Sequence, residues 1–484
     1  MRTEQVHTLI LGAGPSGLAA GYILAKAGMK PVVLEKDKIS GGLMRSIRHG
    51  EFVVDIGRKE LYNRILRVDE FWKDLLGDDY RAYAHRGGLL YEGHIIDMSP
   101  AYQGARRGMP WSMLIGCGMD FFWWRARPGR PKPRNLEEYW YQHRGRQLTR
   151  ITNQGFQEKL AGRKWVDVPM PQDVAKSGNE KFLRTVGQAL LRGLSATENN
   201  TATGVWRHPA KGTGQICESL ERRILEHGGR VDHEAKVLEM TVSGGKIRSV
   251  TATVGAETVM YAPEYVMSSA PAEFLQQLLF PACAENRTAG PKPAAGLRRV
   301  VVLVYMFLNE EPRFPHFWLQ VTDQKMKAGR IANYAALNAD MVPRGKTAIC
   351  CEYYCFGDDP LLQLDNAQMA QLCLDECAQA GLVTRSKCFD TLVLKFPGAD
   401  ASQNRNNWFS KERQQIYAEL RQFDNLYSIN RTDLDIATLA GIEGAEAILT
   451  GDRDTFDLHF SPDELDIKSA PKPFEFRNPP GVQI

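Results

Sequence analysis

A glycine-rich turn between an apolar strand and a helix constrains this chain more than any other feature. The sequence GAGPSG at 12–17 directly follows an apolar run at 6–11 and opens a helix pattern. In this context Gly12 makes a tight turn, Gly14 lets a pyrophosphate approach the backbone, and Gly17 allows close helix–strand packing. Free amide groups at the helix N-terminus favour bound phosphates. The turn predicts a dinucleotide site. The alternative is a glycine turn in an α/β protein that binds no nucleotide.

A second apolar strand at 31–35 completes a βαβ unit, which implies a parallel sheet. Glu35 ends that strand, 21 residues after Gly14. A carboxylate at this position hydrogen-bonds ribose hydroxyls and repels a 2′-phosphate, so it disfavours NADP. The pair Gly41-Gly42 lies six residues further on, and a strand at 52–57 ends in Gly57. These two features extend the nucleotide arm and favour FAD over NAD.

Together these segments resemble the N-terminus of the FAD-dependent amine oxidase superfamily. That superfamily includes monoamine oxidases, protoporphyrinogen oxidases, phytoene desaturases and UDP-galactopyranose mutases, and the strongest likeness is to bacterial protoporphyrinogen-oxidase-like and phytoene-desaturase-like flavoproteins. The likeness recurs at 212–237 and 425–445, so it covers nearly the whole chain. It implies an α/β fold, in which a Rossmann-like FAD-binding domain of the GR2 type accompanies a substrate domain of mixed β-sheet with a helical cap.

The resemblance also implies a set of cofactor contacts. It places the first glycine turn at the pyrophosphate, the backbone of Val237 at the adenine, Gly57 beside the isoalloxazine, and Asp435 as the cap of a helix whose N-terminus faces the flavin. The chain departs from the family at Asn430-Arg431, where a Gly-Arg pair is usual, and in a shorter loop nearby. No Cys or His lies close to that segment, which predicts FAD without a covalent bond. The predicted FAD-binding residues are Gly12, Gly14, Pro15, Ser16, Gly17, Glu35, Lys36, Gly41, Gly42, Leu43, Arg45, Gly57, Val237, Arg431, Asp435 and Ile436.

The length of 484 residues predicts more than one domain, because a single core rarely grows past about 250–300 residues. We expect a discontinuous FAD-binding domain from 1–83, 199–296 and 400–484. A substrate-binding domain then comprises 84–198 and 297–399, with the flavin between the two domains.

Charged residues follow Gly57, where apolar groups are more usual beside a flavin. Arg58 and Lys59 are therefore candidates for catalysis, with Glu60 beside them, and the alternative is a solvated turn. His208 and Lys211 precede the second glycine turn and could reach the same cavity, although a lone histidine is more often structural.

Aromatic residues in the strands between 298 and 356 are candidates for the substrate wall. Trp318, Tyr334 and Tyr354 are predicted to contact substrate, and Tyr353 is a further catalytic candidate. Only alternate residues of a strand share a face, so Tyr353 and Tyr354 cannot line one wall. The alternative for each is a place in the core.

The resemblance implies an FAD-dependent oxidoreductase of the amine oxidase or desaturase type, which oxidises a C–N or C–C bond by hydride transfer to flavin N5. Two alternatives stay open. One is a redox-neutral flavin-dependent mutase or isomerase, and the other is a non-catalytic FAD-binding protein. The expected partner is a small-molecule substrate, anionic or carrier-bound.

Composition excludes some classes of function. The net charge of +4 and the lack of a recognition motif argue against a nucleic-acid partner. No run reaches the ~18–20 apolar residues of a spanning helix, and no signal peptide is evident. Nine scattered cysteines indicate a reducing, cytoplasmic location. Cys350, Cys351 and Cys355 lie in an apolar strand and are interpreted as core residues, so no metal is expected.

The stretch from Arg125 to Arg150 is rich in basic residues and follows the aromatic run FFWW at 121–124. Three interpretations compete. The first is a solvated helical cap whose aromatic residues belong to the core. The second is a peripheral membrane contact, and the third is a docking face for an acidic partner or an anionic substrate.

Overall fold

The computed structural model describes residues 2–59, 61, 65–84, 86–98, 108–126, 132–169, 205–280, 299–397, 411–431 and 433–459. Its strands are β1 (Arg2–Leu11), β2 (Val32–Leu34), β3 (Ser46–His49), β4 (Phe52–Asp55), β5 (Tyr80–Ala84), β6 (Gly87–Tyr91), β7 (His94–Asp97), β8 (Val205–Pro209), β9 (Arg230–Asp232), β10 (Ala235–Ser243), β11 (Lys246–Val254), β12 (Glu257–Ser268), β13 (Arg299–Leu308), β14 (Trp318–Val321), β15 (Arg330–Asn333), β16 (Thr347–Phe356), β17 (Cys388–Pro397) and β18 (Leu426–Ser428). Its α-helices are α1 (Pro15–Lys26), α2 (Leu66–Leu76), α3 (Trp111–Ala126), α4 (Leu136–Arg144), α5 (Arg146–Thr149), α6 (Gly155–Ala161), α7 (Gly214–Glu226), α8 (Ala272–Leu279), α9 (Tyr334–Leu337), α10 (Asn366–Gln379), α11 (Lys411–Arg421), α12 (Leu434–Thr450) and α13 (Arg453–His459).

The first sheet contains the glycine arm. Its strand order is β10-β11-β12-β1-β2-β9, with β18 beside β12. β1 runs parallel to β2 and β12, as the βαβ unit predicts. β10 and β11 form an antiparallel hairpin whose turn contains Gly244 and Gly245, with φ angles of 59° and 71°. These positive values suit glycine, which is the residue that tight hairpin turns favour. Two separate apolar clusters cover the two faces of the sheet.

The second sheet is mixed, in the order β17-β13-β16-β15-β14-β6-β7. β14 and β6 are parallel, whereas the pairs around β13 and β16 are antiparallel. Helix α10 packs on one face of this sheet. Helices α3 to α6 form the cap, and in the sequence they lie between β7 and β13 of this sheet. The predicted fold class, a Rossmann-like domain with a second domain of mixed sheet and helical cap, is confirmed.

The hairpin of β3 and β4 connects the two sheets. Phe52, Val54 and Ile56 are buried in the same apolar cluster as Leu303 and Phe307 of β13. This packing presses the end of β4, and with it Gly57, against the inner face of the second sheet. The strands of the first sheet come from 1–83, 199–296 and 400–484, and those of the second sheet come from 84–198 and 297–399. The division into two domains at these bounds stays a proposal.

Helix α3 departs from the interpretation of its aromatic residues as core. The side chains of Phe122 and Trp123 are 71% and 54% exposed, and Ile115 and Met119 on the same helix are also exposed. The core interpretation is therefore wrong for Phe122 and Trp123. Residues 127–131 of the basic stretch lie outside the described residues, and the membrane and docking interpretations stay untested predictions. Within the described ranges, no helix is both long and apolar enough to cross a bilayer.

Candidate functional site

The glycine turn after β1 has the geometry that a pyrophosphate site needs. Gly12 adopts a φ of 96°, and its N–H donates a 2.8 Å hydrogen bond to the carbonyl of Leu34. A Cβ at Gly17 would lie 1.9 Å from the carbonyl oxygen of Gly12, so only glycine permits this contact. A Cβ at Gly14 would meet no heavy atom within 4 Å. The turn is therefore closed towards the protein and open at Gly14. Pro15 begins α1, where its missing N–H costs nothing.

Glu35 lies at the edge of this open face. Its buried carboxylate accepts hydrogen bonds from the backbone N–H of Ala13 (2.8 Å) and Asp37 (2.9 Å). The backbone carbonyl of Glu35 accepts a 2.7 Å hydrogen bond from Ala235, at the start of β10. Val237 follows two residues later and is half-buried. This backbone contact brings Glu35, which follows β2, to the start of β10, and so places the predicted ribose and adenine contacts near each other.

The glycine pair at 41–42 packs onto the same turn. The N–H of Gly41 donates to the carbonyl of Ala13 at 2.7 Å, and a Cβ at Gly42 would lie 3.7 Å from the Cα of Gly14. Leu43 is 39% exposed beside them. These glycines allow two backbone segments to approach each other around a ligand.

Two basic residues near the arm share one carboxylate. Asp37 accepts 2.9 Å hydrogen bonds from both Lys36 and Arg45. Burial alone would raise the pKa of Asp37, but these two cations hold it below its ordinary value. Both predicted contacts, Lys36 and Arg45, therefore lie at the adenosine end of the arm.

Asp55 anchors the second glycine turn to β4. Its fully buried carboxylate accepts hydrogen bonds from the hydroxyl of Ser46 (2.6 Å), the N–H of Thr213 (2.9 Å) and Nε2 of His208 (2.9 Å). Burial alone would raise the pKa of Asp55, but these donors lower it. His208 is buried and also contacts the carbonyl of Pro209. The structural interpretation of His208 therefore fits, and sequence reasoning missed Asp55 as its partner.

The C-terminal helix contacts the glycine arm through small residues. A Cβ at Gly441 would lie 2.1 Å from the carbonyl oxygen of Ser16. Helix α12 therefore approaches α1 so closely that only glycine fits at this position. The helix begins at Leu434, with Asp433 at the N-cap position. The prediction that Asp435 caps this helix is wrong, because its carboxylate accepts instead from the N–H of Ile436 at 2.9 Å. The helix nevertheless packs against the start of α1 at Ser16 through Gly441.

The departure at Asn430-Arg431 has a visible consequence. The side-chain amide of Asn430 donates to the carbonyl of Ser269, and Ser269 in turn donates to the carbonyl of Leu11 beside the glycine turn. The guanidinium of Arg431 donates to the carbonyls of Ser428 and Asn430 within its own loop. Asn430 thus braces the arm, while the guanidinium of Arg431 also lies 5.8 Å from the ring centroid of Tyr417 on α11.

Two tyrosines clamp the segment that ends at Gly57. The hydroxyl of Tyr305 donates to the carbonyl of Asp55 (2.7 Å) and accepts from the N–H of Gly57 (3.0 Å). The hydroxyl of Tyr334 lies 2.8 Å from the carbonyl oxygens of both Asp55 and Gly57. Burial raises the pKa of both phenols well above the ordinary value. Tyr334, predicted to contact substrate, is fully buried, so the structure gives it a positioning role.

Glu352 on β16 fixes the next residues. One carboxylate oxygen accepts a 2.7 Å hydrogen bond from the N–H of Arg58, and the other accepts from Arg330 (3.0 Å) and the hydroxyl of Tyr354 (2.8 Å). Burial alone would raise the pKa of Glu352, but Arg330 and these hydrogen bonds hold it below its ordinary value. Sequence reasoning missed Glu352. The available signal was that Glu352 shares a strand face with Tyr354, a predicted substrate contact, because the two are two residues apart.

The side chains of Arg58 and Lys59 complete the cluster. The guanidinium of Arg58 lies 4.2 Å from the ring centroid of Trp318, a cation–π distance. Burial lowers the pKa of Lys59, although the charges of Glu352 and Asp55 oppose this shift. The structure therefore brings Arg58, Lys59 and Trp318 together beside Tyr354. Glu60 lies outside the described residues.

Tyr353 points to the opposite face of β16. It is fully buried with α10, and its hydroxyl donates to Glu376 at 3.1 Å. The prediction of Tyr353 as a catalytic residue is therefore not supported, because the alternation of side chains along the strand directs it away from Gly57.

Comparisons with known proteins agree with this geometry. The family of NAD(P)-binding Rossmann-like domains matches residues 10–63. An all-trans-zeta-carotene desaturase of Myxococcus xanthus is 33% identical over 91 residues, which is 16% of this chain and 17% of that protein. An L-amino-acid oxidase of Bothrops pauloensis is 51% identical over 43 residues, or 9% of this chain and 8% of that protein. The chain thus spans less than a fifth of each of these curated relatives.

Solved structures match over nearly the whole chain. A reduced UDP-galactopyranose mutase superposes with a TM-score of 0.67 at 15% identity, covering 95% of this chain and 98% of that one. A putrescine oxidase bound to putrescine gives a TM-score of 0.55 at 14% identity, covering 93% and 100%. Identities this low show the fold alone.

The predicted resemblance is confirmed by these likenesses together with the glycine arm. The open face at Gly14, Glu35 and the Gly41-Gly42 pair fit a non-covalently bound dinucleotide, which supports the predicted FAD site. The chain therefore has the fold of the FAD-dependent amine oxidase superfamily, with the dinucleotide-binding domain typical of that superfamily at residues 10–63.

Proposed function

We propose that this protein is an FAD-dependent oxidoreductase that oxidises a C–N or C–C bond of a small organic substrate. The observation that supports the proposal best is the segment after Gly57. It follows β4 of the hairpin between the two sheets, is fixed by hydrogen bonds to the second sheet, and carries Arg58 over the ring of Trp318, with Lys59 next in the chain. Such a segment, between a cofactor arm and a substrate sheet, is where a substrate would be oriented.

The chain's own residues supply orientation and charge. When bound, FAD supplies the two-electron acceptor at N5. Tyr305 and Tyr334 hold the backbone at Gly57 in one position, and Glu352 fixes the backbone N–H of Arg58. A rigid scaffold of this kind places a substrate C–H bond without a further ordering cost.

Lys59 is the residue that we propose to move a proton. Because burial lowers its pKa, a larger fraction of Lys59 is neutral near neutral pH than for a solvated lysine. Its Nζ can then accept a proton from a substrate ammonium or hydroxyl group, as oxidation of an amine or alcohol carbon requires.

The charges around this segment favour a substrate with an anionic group. Among the described residues, the cations Arg58, Lys59 and Arg330 outnumber the two nearby carboxylates of Glu352 and Asp55. The positive excess would attract a carboxylate or phosphate, and the guanidinium groups can bind either one in bidentate fashion.

Anaerobic mixing of the FAD-loaded protein with pairs of amines and alcohols, matched except for a carboxylate, tests the proposal. We expect loss of the oxidised flavin absorbance, faster for the carboxylate-bearing partner. The variant Lys59→Met should bleach more slowly, while Lys325→Met, an exposed lysine elsewhere, should behave as the unmodified chain does. If none of the compounds bleached the bound flavin, the proposal would be contradicted.

A redox-neutral mutase or isomerase is the second candidate, since the UDP-galactopyranose mutase superposes over 95% of the chain. The same experiment separates the two functions. Turnover that requires prior reduction of the flavin, without net bleaching, would favour the mutase. Bound flavin with neither outcome would indicate a non-catalytic FAD-binding protein.

A further inference from the structure

Three buried thiols converge on the outer face of the second sheet, away from the proposed flavin site. Cys351 lies on β16, and Cys373 and Cys377 lie on α10. Their Sγ atoms all lie within 4.8 Å of one another, and those of Cys351 and Cys377 are 3.4 Å apart. None of the three side chains is exposed. They are separated in the sequence, so the fold alone brings them together.

The secondary structure explains the convergence. Cys373 and Cys377 are four residues apart on α10 and therefore share one helical face. Cys351 belongs to the alternate residues of β16 that point at this helix. A fourth sulfur lies beside the group, because Sγ of Cys373 is 3.9 Å from Sδ of Met306 on β13.

We propose that Cys351, Cys373 and Cys377 bind a single Cu(I)-like soft cation, with Met306 as a further thioether contact. Three sulfurs around one metal at about 2.3 Å lie about 4 Å apart, so the observed spacing needs only small side-chain adjustments. Thiolate and thioether ligands select soft ions of this kind. This inference departs from the expectation of no metal, which considered Cys351 only with its strand neighbours.

The surroundings favour a monovalent ion over Zn²⁺. The group of potential ligands found among the described residues consists of cysteines alone, with no histidine or carboxylate. Structural zinc sites are almost always four-coordinate with Cys, His or carboxylate ligands, and here the fourth neighbour is a thioether. Each cysteine binds the ion as a thiolate, so binding releases one proton for each coordinating thiol and becomes stronger as pH rises.

Core packing alone does not require this arrangement. A buried cysteine can act as a small apolar residue, and Cys355 on the same face of β16 does so without joining the group. Four sulfur atoms from β16, α10 and β13 lie close together. This arrangement suits a soft metal ion, and packing alone does not require it.

The test uses the full chain, reduced and loaded anaerobically with Cu(I) as its acetonitrile complex, in competition with bicinchoninate. We expect one Cu(I) per chain, and X-ray absorption should show three or four sulfur neighbours. In Cys373→Ala and Cys377→Ala the affinity should fall at least about tenfold, as for loss of metal-site partners generally. The matched control Cys355→Ala should bind as the unmodified chain does.

Cu(I) binding to the unmodified chain tests the proposal even where a variant fails to fold. No binding of Cu(I), or a bound ion with two sulfur neighbours or with nitrogen or oxygen neighbours, would overturn the proposal. Equal affinity in folded Cys373→Ala and in the control would do so too. A Cys351–Cys377 disulfide in the freshly isolated protein would also overturn it.

Discussion

The carboxylate of Glu352 lies 2.7 Å from the backbone nitrogen of Arg58, although 294 residues separate them in the sequence. The same oxygen would lie 2.9 Å from a Cβ at Gly57. Glycine at this position and a carboxylate on β16 therefore depend on each other, and together they fix the segment that we propose to meet substrate.

Substitution of Glu352 should shift the pH dependence of the reaction. The Glu352 charge raises the pKa of Lys59, so Glu352→Gln should lower that pKa further. If neutral Lys59 is the base, kcat/KM rises as pH increases through its pKa, and this rise should move to lower pH in the variant. Reductive half-reaction rates measured across pH would show the shift. A profile identical to that of Glu310→Gln, a carboxylate hydrogen-bonded to Thr384 instead, would argue against the role of Lys59.

Substitution of Gly14 should separate cofactor binding from folding. A Cβ at Gly14 meets no protein atom within 4 Å but projects at the open face of the turn, so Gly14→Ala should weaken FAD binding without unfolding the protein. Gly17→Ala should instead destabilise the fold, because its Cβ would clash with the carbonyl of Gly12. FAD titration and thermal unfolding of each apoprotein would distinguish them. Gly118→Ala, equally open but on α3, is the matched control and should alter neither measurement.

The Asp55 carboxylate should make the fold sensitive to acid. Its folded pKa lies below the ordinary value of 3.8, so its stabilising contribution is present above that value and is lost as pH falls through the folded pKa. Asp55→Asn should lower the free energy of unfolding by about 2–4 kcal/mol at neutral pH, because buried donors lose a charged partner. It should also flatten the loss of stability below about pH 4. Urea unfolding of both proteins between pH 3 and 7 measures this, and parallel curves would contradict it.

The exposed face of α3 should tolerate polar substitution. Because the side chain of Phe122 is 71% exposed, Phe122→Ser should change the free energy of unfolding by no more than about 0.5 kcal/mol. Trp72→Ala, which removes a fully buried side chain, should cost about 3–5 kcal/mol. Denaturant unfolding compares the two. A large cost at Phe122 would show that its face is covered in solution.

The local elements were predictable because their patterns are local. The glycine turn at 12–17 leads into α1 at Pro15, and the apolar run at 31–35 forms β2 over Val32–Leu34. The cap at Asp435 was misplaced because two aspartates, at 433 and 435, both suit a helix N-terminus, and only the backbone geometry distinguishes them.

The contacts that define the site were less predictable. Glu352 lies on β16 and Arg58 in the loop after β4, and no spacing rule connects them. Tyr354 and Tyr353 are adjacent in the sequence but face opposite sides of β16, so alternation could show that one of them was misassigned but could not show which. The thiols of Cys351 and Cys377 are likewise brought together only by the packing of α10 on the sheet.

We predict that the glycine arm binds FAD without a covalent bond. The most direct measurement is titration of the apoprotein with FAD, followed by acid precipitation and analysis of the released flavin. We predict one FAD per chain, released intact, with affinity reduced in Gly14→Ala and unchanged in Gly118→Ala. If the protein took up no FAD, or if Gly14→Ala bound FAD equally well, the prediction of an FAD site at the glycine arm would be contradicted.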